Sequence, residues 1–272
     1  MLGAAIIVFR EALEAALITG IIAAATRGVA GRARWLAAGL LAGIAGSLGV
    51  AALTERIAQL AEGAGQELFN AFVLGIAVAM LAWHNIWVSR HGAQMAREAK
   101  GVGLAVRSGD KTLFALFLVV ALAVLREGSE TVLFLYGLLA GSDSGVGPVL
   151  SGGALGLAAG ALAGLALYAG FLRIPAKWFF SATSVLILLL AAAMAGQMAR
   201  FLVQADLVPS LLSPAWDSSA VLANESPLGM LLHVLAGYEA RPIGMQVVFY
   251  LAALLLILSG MAWARRPISR NS

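Results

Sequence analysis

Long apolar runs separated by short polar stretches set the pattern of this chain. Seven of them approach the ~20 residues that a helix needs to cross the hydrocarbon of a bilayer: 2–25, 35–54, 69–88, 113–140, 149–171, 179–201 and 243–263. A shorter apolar piece, 228–236, is too short to span and lies at the surface or dips in and returns. The pattern predicts an all-α polytopic membrane protein with seven transmembrane helices, forming a single transmembrane domain over 1–272. The first run lacks a basic leader, carries three charges and is long enough to span, so it reads as a retained helix and not as a secretory signal.

Composition agrees with that class: 61% of residues are hydrophobic, only 12% are charged, and 31 of the 272 are glycine. Cysteine is absent, which excludes disulfides, thiolate ligation and iron–sulfur chemistry and leaves oxygen and imidazole as ligands for a metal. Three histidines are too few for an imidazole-rich site. The net charge of +4 does not point to nucleic acid, because the basic residues sit in short loops between apolar runs, where they orient a membrane chain.

Counting them gives an orientation. Arg27, Arg32 and Arg34, then Arg90, Arg97, Lys100, Arg107 and Lys111, then Arg173 and Lys177, and finally Arg265, Arg266 and Arg270 fall in the odd-numbered loops and the C-terminal tail. The even-numbered loops hold only Arg56, Arg200 and Arg241. The positive-inside rule then places the N-terminus outside and the C-terminus in the cytoplasm, in keeping with an odd number of spans. Acidic residues are skewed the other way. Glu55, Glu62, Glu67, Asp143, Asp206, Asp217, Glu225 and Glu239 are outer, against Glu98 and Asp110 inside. This skew either concentrates cations at an outer mouth or reflects ordinary solvated loops.

Two charged pentapeptides break the apolar pattern. Arg10-Glu11-Ala12-Leu13-Glu14 lies within the first run and Arg126-Glu127-Gly128-Ser129-Glu130 within the fourth. Ionised groups in hydrocarbon cost roughly 3 kcal/mol each on insertion scales, so six of them mark a transport or ion-binding site. Aligning Arg10 with Arg126 also superposes Val8 on Val124 and Leu17 on Leu133, and each motif helix precedes a glycine-rich helix and a third span. The chain thus reads as a three-helix repeat over 1–100, an inverted copy over 111–203, an outer loop over 204–242, and a last helix with its cytoplasmic tail over 243–272. An odd number of helices per unit makes the first and fourth helices antiparallel, and inverted repeats place substrate near the midplane at their interface. Gly39, Gly43 and Gly46 in the second helix and Gly156, Gly160 and Gly164 in the fifth offer small-residue faces for close packing.

At about 100° per residue, the arginine and two glutamates of each motif cover roughly a third of the helix circumference, so all six can face one interior path. Glu14 and Glu130 stand four residues after their arginines, at ion-pair spacing. That pairing leaves Glu11 and Glu127 in excess, and the four carboxylates form an oxygen cage suited to a hard, highly charged cation. A purely structural alternative has two Arg–Glu pairs lock the helices together with the remaining acids protonated, but a staple needs one acid per base. A proton path is a further reading, since closely spaced carboxylates share and exchange protons, and it is compatible with a metal role.

Paired R-E-x-x-E motifs in the first and fourth of seven helices resemble the oxidase-dependent iron permeases, fungal and bacterial Efe-type. The run Trp83 to Val88 is similar to the tryptophan-rich end of that family's third helix. The stretch through Gly237, Tyr238, Pro242, Gln246 and Tyr250 is similar to the segment leading into its last helix. The resemblance covers nearly the whole chain. It implies that Glu11, Glu14, Glu127 and Glu130 bind iron, with Arg10 and Arg126 as positive neighbours. It also implies import of ferric iron across the cytoplasmic membrane, coupled to a separate extracytoplasmic protein that oxidises or delivers iron, and acidic outer-loop residues that relay it, for which Glu62, Glu67, Asp217 and Glu225 are candidates. The long periplasmic domain of some bacterial relatives is lacking, so such a partner is expected to be a separate polypeptide. Iron would be cargo, with no permanent cofactor and no enzymatic reaction, and a homo-oligomer is compatible with the sequence. Alternatives are transport of another metal such as lead, or a membrane enzyme or assembly subunit that docks through its charged helices.

The remaining polar residues carry less. His84, between Trp83 and Asn85, reads as an interfacial residue of an aromatic belt, and His91 and His233 as loop and surface residues. Met194 and Met198 read as packing, with Gln197 and Arg200 marking the outer end of the sixth helix.

Overall fold

A computed structural model describes residues 1–61, 66–141, 145–169 and 176–264. They form α1 (Leu2–Ala25), α2 (Arg32–Ala61), α3 (Gln66–Ser108), α4 (Phe114–Gly141), α5 (Val146–Tyr168), α6 (Ala176–Gln204), α7 (Pro227–Ala236) and α8 (Gly244–Ala264), with no strand among the described residues. In hydrocarbon only a helix satisfies its own backbone, which is why each apolar run becomes one.

Among the described residues, five helices are long and apolar enough to cross a membrane: those over Arg32–Arg56, Glu67–Trp87, Val146–Tyr168, Thr183–Gln204 and Gly244–Ala264. The motif helices α1 and α4, of 24 and 28 residues, are as long, and each carries the three charges of its pentapeptide. Leucines at 41, 48, 155, 162, 255 and 256 point outward from α2, α5 and α8. Such apolar outer faces are what a lipid-facing surface requires. The chain is a multi-pass membrane protein.

The structure differs from the sequence expectation after Val88. The stretch expected as a basic loop continues as helix, and α3 runs unbroken to Ser108, carrying Arg97, Lys100 and Arg107 on its last turns. Local composition explains it: Ala93-Gln94-Met95-Ala96-Arg97-Glu98-Ala99-Lys100 consists of strong helix formers once the apolar run has ended. The expected surface piece is α7, with a Ser226 side chain that accepts from the Gly229 amide at its start, Pro227 in its first turn and the left-handed Gly237 at its end.

The helices divide between two compact units. The first comprises Met1–Ala61, Ala93–Tyr136 and Ser144–Phe180; the second comprises Glu62–Gly92, Gly137–Asp143 and Ser181–Ser272. Within the first, glycines of α5 and α2 bring those helices close against the motif helices. In α5, a β-carbon on Gly152, Gly156 or Gly160 would lie 2.1, 2.3 or 2.6 Å from the carbonyl oxygens of Met1, which precedes α1, and of Ala5 and Phe9 within it. In α2, a β-carbon on Gly39 or Gly43 would lie 2.7 or 2.9 Å from the carbonyls of Phe117 and Ala121 in α4. The glycine helix of each sequence half therefore packs on the motif helix of the other. Gly28 and Gly31, both at positive φ, turn the chain from α1 into α2, and the Arg32 guanidinium donates to the carbonyl of Ala23, completing the C-terminus of α1.

In the second unit, His84 and Asn85 are buried while Trp83 is exposed, which corrects the expectation that His84 sits at an interface. The Asn85 amide donates to the Ser184 carbonyl of α6 at 3.3 Å.

Candidate metal centre

The buried stripe of α1 includes Ala4, Ile7, Val8, Arg10, Glu11 and Glu14, the i, i+3, i+4 spacing of one helix face. The pentapeptide therefore turns inward together with the apolar residues around it. Two points fix the direction of α4 against α1. Glu11 neighbours Glu127 and Glu130, while Ile22 shares a buried apolar cluster with Leu116, Val120 and Val124. Advancing along α1 means retreating along α4, so within this unit the two helices are antiparallel. Ala99 and Val106, from the unexpected extension of α3, complete the same cluster.

Carboxylate oxygens of Glu11, Glu127 and Glu130 lie within 4.8 Å of one another. Opposed ligands of a cation with metal–oxygen distances of roughly 2.0–2.6 Å stand about 4–5 Å apart, so the spacing suits a single bound ion. Glu11 and Glu127 are almost fully buried, 1% and 2% exposed. Two ionised carboxylates at this separation repel by ~3 kcal/mol even at an effective dielectric near 20. Such a cluster is stable only with a proton or a cation among the acids.

The two arginines are placed differently. Arg10, with no exposed surface, donates from one terminal nitrogen to Glu11 at 3.0 Å and brings the other to 2.9 Å from Glu14. Arg126, 32% exposed, donates through Nε to Glu130 at 3.1 Å, stands 3.7 Å from Glu127, and directs a terminal nitrogen at the Met95 sulfur 3.8 Å away. Each guanidinium thus meets the two acids of its own helix, and the carboxylates outnumber the arginines four to two.

The outer-loop candidates are not gathered in the same way. Glu62 lies outside the described residues, and Glu67 is exposed in the first turn of α3. Glu225 is exposed just before α7. Asp217 accepts from the Ser219 amide at 3.0 Å and its hydroxyl at 2.6 Å, and pairs with Arg241 at 3.0 Å. Ser219 first and Arg241 second hold the Asp217 carboxyl down to about 2.

Two contacts escape a reading of the sequence alone. Met95 falls in a stretch that hydropathy marks as a loop, and the helix-forming composition of residues 93–100 is the available signal for it. Tyr136 of α4 donates a hydrogen bond to Glu55 of α2, joining the two helices beyond the motif. Nothing in the spacing of either residue announces it.

Comparison with known proteins adds an independent line. The profile of the iron permease FTR1 family matches residues 1–266. The chain is 35% identical over 263 residues to the ferrous iron permease EfeU of Shigella sonnei (strain Ss046), covering 94% of each sequence. It is 35% identical over 257 residues to the protein of the same name from Escherichia coli O6:H1, covering 92% of this chain and 91% of that one. It is 32% identical over 255 residues to that of Yersinia pestis, covering 92% and 89%. No solved structure matches.

Proposed function

Because the chain belongs to the iron permease FTR1 family, we propose that it imports iron across the cytoplasmic membrane through a site formed by the glutamates of its two motifs. The observation that carries this reading is the cluster of the buried Glu11 and Glu127 with the half-buried Glu130, with Glu14 on the same face of α1 and, among the described residues, the arginines of the two motifs beside these four acids. Hard oxygen donors with a net negative charge suit a small, highly charged cation. Iron is the cargo, and the protein needs no resident cofactor.

The finer reading assigns seven spans, an outer N-terminus and a cytoplasmic C-terminus, supported by the crowding of Lys and Arg into alternate loops. Iron reaches the carboxylates as ferric ion, oxidised or delivered outside the membrane by a separate partner protein. Relatives named for ferrous iron are compatible with this if ferrous iron is the species taken up before oxidation. The ion passes inward as the helices around the site rearrange. Competition uptake against lead and other divalent metals tests the choice of cargo. Radioactive iron uptake by cells carrying Glu11→Ala or Glu127→Ala tests the site: undiminished transport in both removes the glutamates from the mechanism.

A further inference from the structure

One end of the first unit gathers positive charge. Arg27, Arg32 and Arg34 stand at the turn from α1 into α2, and Arg107 and Lys111 at the turn from α3 into α4. The two turns meet. A β-carbon on Gly31 would lie 3.7 Å from the Leu113 side chain, and one on Gly103 of α3 would lie 2.6 Å from the Ala25 β-carbon at the end of α1. Arg27 lies over the ring of Tyr168, the last residue of α5, at 5.3 Å, and Arg32 donates to the Ala23 carbonyl. Among the described residues none of the five forms an ion pair, and the one carboxylate of these turns, Asp110, accepts instead from the Ser108 hydroxyl at 2.6 Å. Five cations against one carboxylate leave a surplus of four, as large as the net charge of the whole chain.

Aromatic rings border the same turns. Trp35, in the first turn of α2, meets Phe114 and Phe117 of α4 edge-on at 6.1 and 6.5 Å, and Phe114 stacks on Phe117 at 5.4 Å. Trp35 and Phe114 are exposed, and beyond them α2 turns Leu40 and Leu41 outward. Aromatic rings at the end of an outward apolar face mark the level where hydrocarbon gives way to headgroups. A ligand for these cations must therefore carry its negative charge next to hydrocarbon.

We infer that this end of the unit is a binding site for an anionic phospholipid, with Arg34, Arg107 and Lys111 holding the headgroup phosphate and the acyl chains lying along Trp35 and Phe114. All five side chains are exposed, and a guanidinium offers a phosphate two parallel N–H donors where lysine offers a point charge. A zwitterionic lipid carries the same phosphate with its own ammonium, so the surplus of positive charge selects a headgroup of net negative charge. In the orientation proposed above, the site faces the cytoplasmic leaflet. It shares no residue with the carboxylate cluster, so its failure would leave the iron reading untouched.

The test titrates the full-length protein in detergent with phosphatidylglycerol, phosphatidylcholine or inorganic phosphate and reads bound lipid by native mass spectrometry. Phosphatidylglycerol should bind about tenfold tighter than phosphatidylcholine, and inorganic phosphate at matched concentration should not displace it. Arg34→Gln should weaken phosphatidylglycerol about fivefold, and Arg34→Gln combined with Lys111→Gln about tenfold or more. Arg34→Lys combined with Lys111→Arg keeps the charge and should stay within about twofold. Arg56→Gln, towards the far end of α2, should change nothing. Phosphatidylglycerol with brominated chains should quench Trp35, taken as the difference from Trp35→Phe, more than brominated phosphatidylcholine does. Equal affinity of the unaltered protein for the two lipids overturns the proposal without any variant. A folded Arg34→Gln, Lys111→Gln protein that binds phosphatidylglycerol as the unaltered one does overturns it as well. Displacement by inorganic phosphate would leave a phosphate site and overturn the lipid as its occupant.

Discussion

Gly43 of α2 and Val124 of α4 touch so closely that a β-carbon on the glycine would lie 2.6 Å from the valine β-carbon and 2.9 Å from the Ala121 carbonyl. The contact seats α2 against the motif helix within two turns of Arg126. Gly156 does the same for α5 and α1, where the obstructing atom is the Ala5 carbonyl oxygen at 2.3 Å. Because backbone atoms cannot swing aside, each motif helix is positioned by its partner's lack of side chains.

Gly43→Leu and Gly156→Leu should therefore destabilise the protein, by at least the ~1–3 kcal/mol typical of overpacking. Both should also lower iron uptake, though neither residue touches the carboxylates. Gly49, on the same helix as Gly43, is the control, because a methyl added there would meet nothing within 4 Å. Gly49→Ala should unfold at the same or a slightly higher temperature in detergent, since alanine is the better helix former, with uptake intact.

Removing the arginines should have unequal consequences. Arg10→Ala strands Glu11 and Glu14 in a buried setting, a change that costs roughly 3–5 kcal/mol where a buried pair loses one member. Arg126 is a third exposed, so Arg126→Ala should cost nearer ~1 kcal/mol. Thermal unfolding of the two variants side by side, monitored by tryptophan fluorescence, checks the order.

The segment between α6 and α7 should keep its Asp217–Arg241 ion pair into acid. Asp217 has its carboxyl held down to about 2, chiefly by Ser219 and then by Arg241. A depressed folded-state value means that the contribution is complete above the ordinary value of 3.8 and is lost as pH falls towards 2. Fluorescence of the adjacent Trp216, taken as the difference from Trp216→Phe, should be flat from pH 7 to 4 and change only near pH 2. Asp217→Asn should abolish that step.

Much of this architecture is legible in the chain. Apolar runs bounded by charge locate most helix ends to within a few residues, since a segment surrounded by hydrocarbon has no alternative to helix, but α2 runs on through Glu55 and Arg56, expected in a loop, to Ala61. The inward turn of Arg10, Glu11 and Glu14 follows from their spacing, because the helix repeat puts them on the stripe of Ile7 and Val8. Where α3 ends is not legible from hydropathy, which falls after Val88 while helix propensity persists to Lys100 and beyond. Nor can the partners of the glycine helices be read, because Gly43 and Gly156 advertise a close contact without naming the helix that makes it. The difference between Arg10 and Arg126 is hidden for a similar reason. Identical spacing along two helices says nothing of what packs over each, and burial alone separates the enclosed guanidinium of Arg10 from the half-open one of Arg126.

Iron binding by the buried carboxylates is the central claim. The most direct test is purified protein reconstituted in liposomes that enclose an iron-quenched dye, with iron added outside together with whatever oxidising partner it requires. The unaltered protein should quench the dye, and Glu127→Gln, which keeps the shape of the side chain and removes its charge, should reduce the initial rate at least tenfold at low iron while remaining folded. Quenching by Glu127→Gln at the rate of the unaltered protein would contradict that claim.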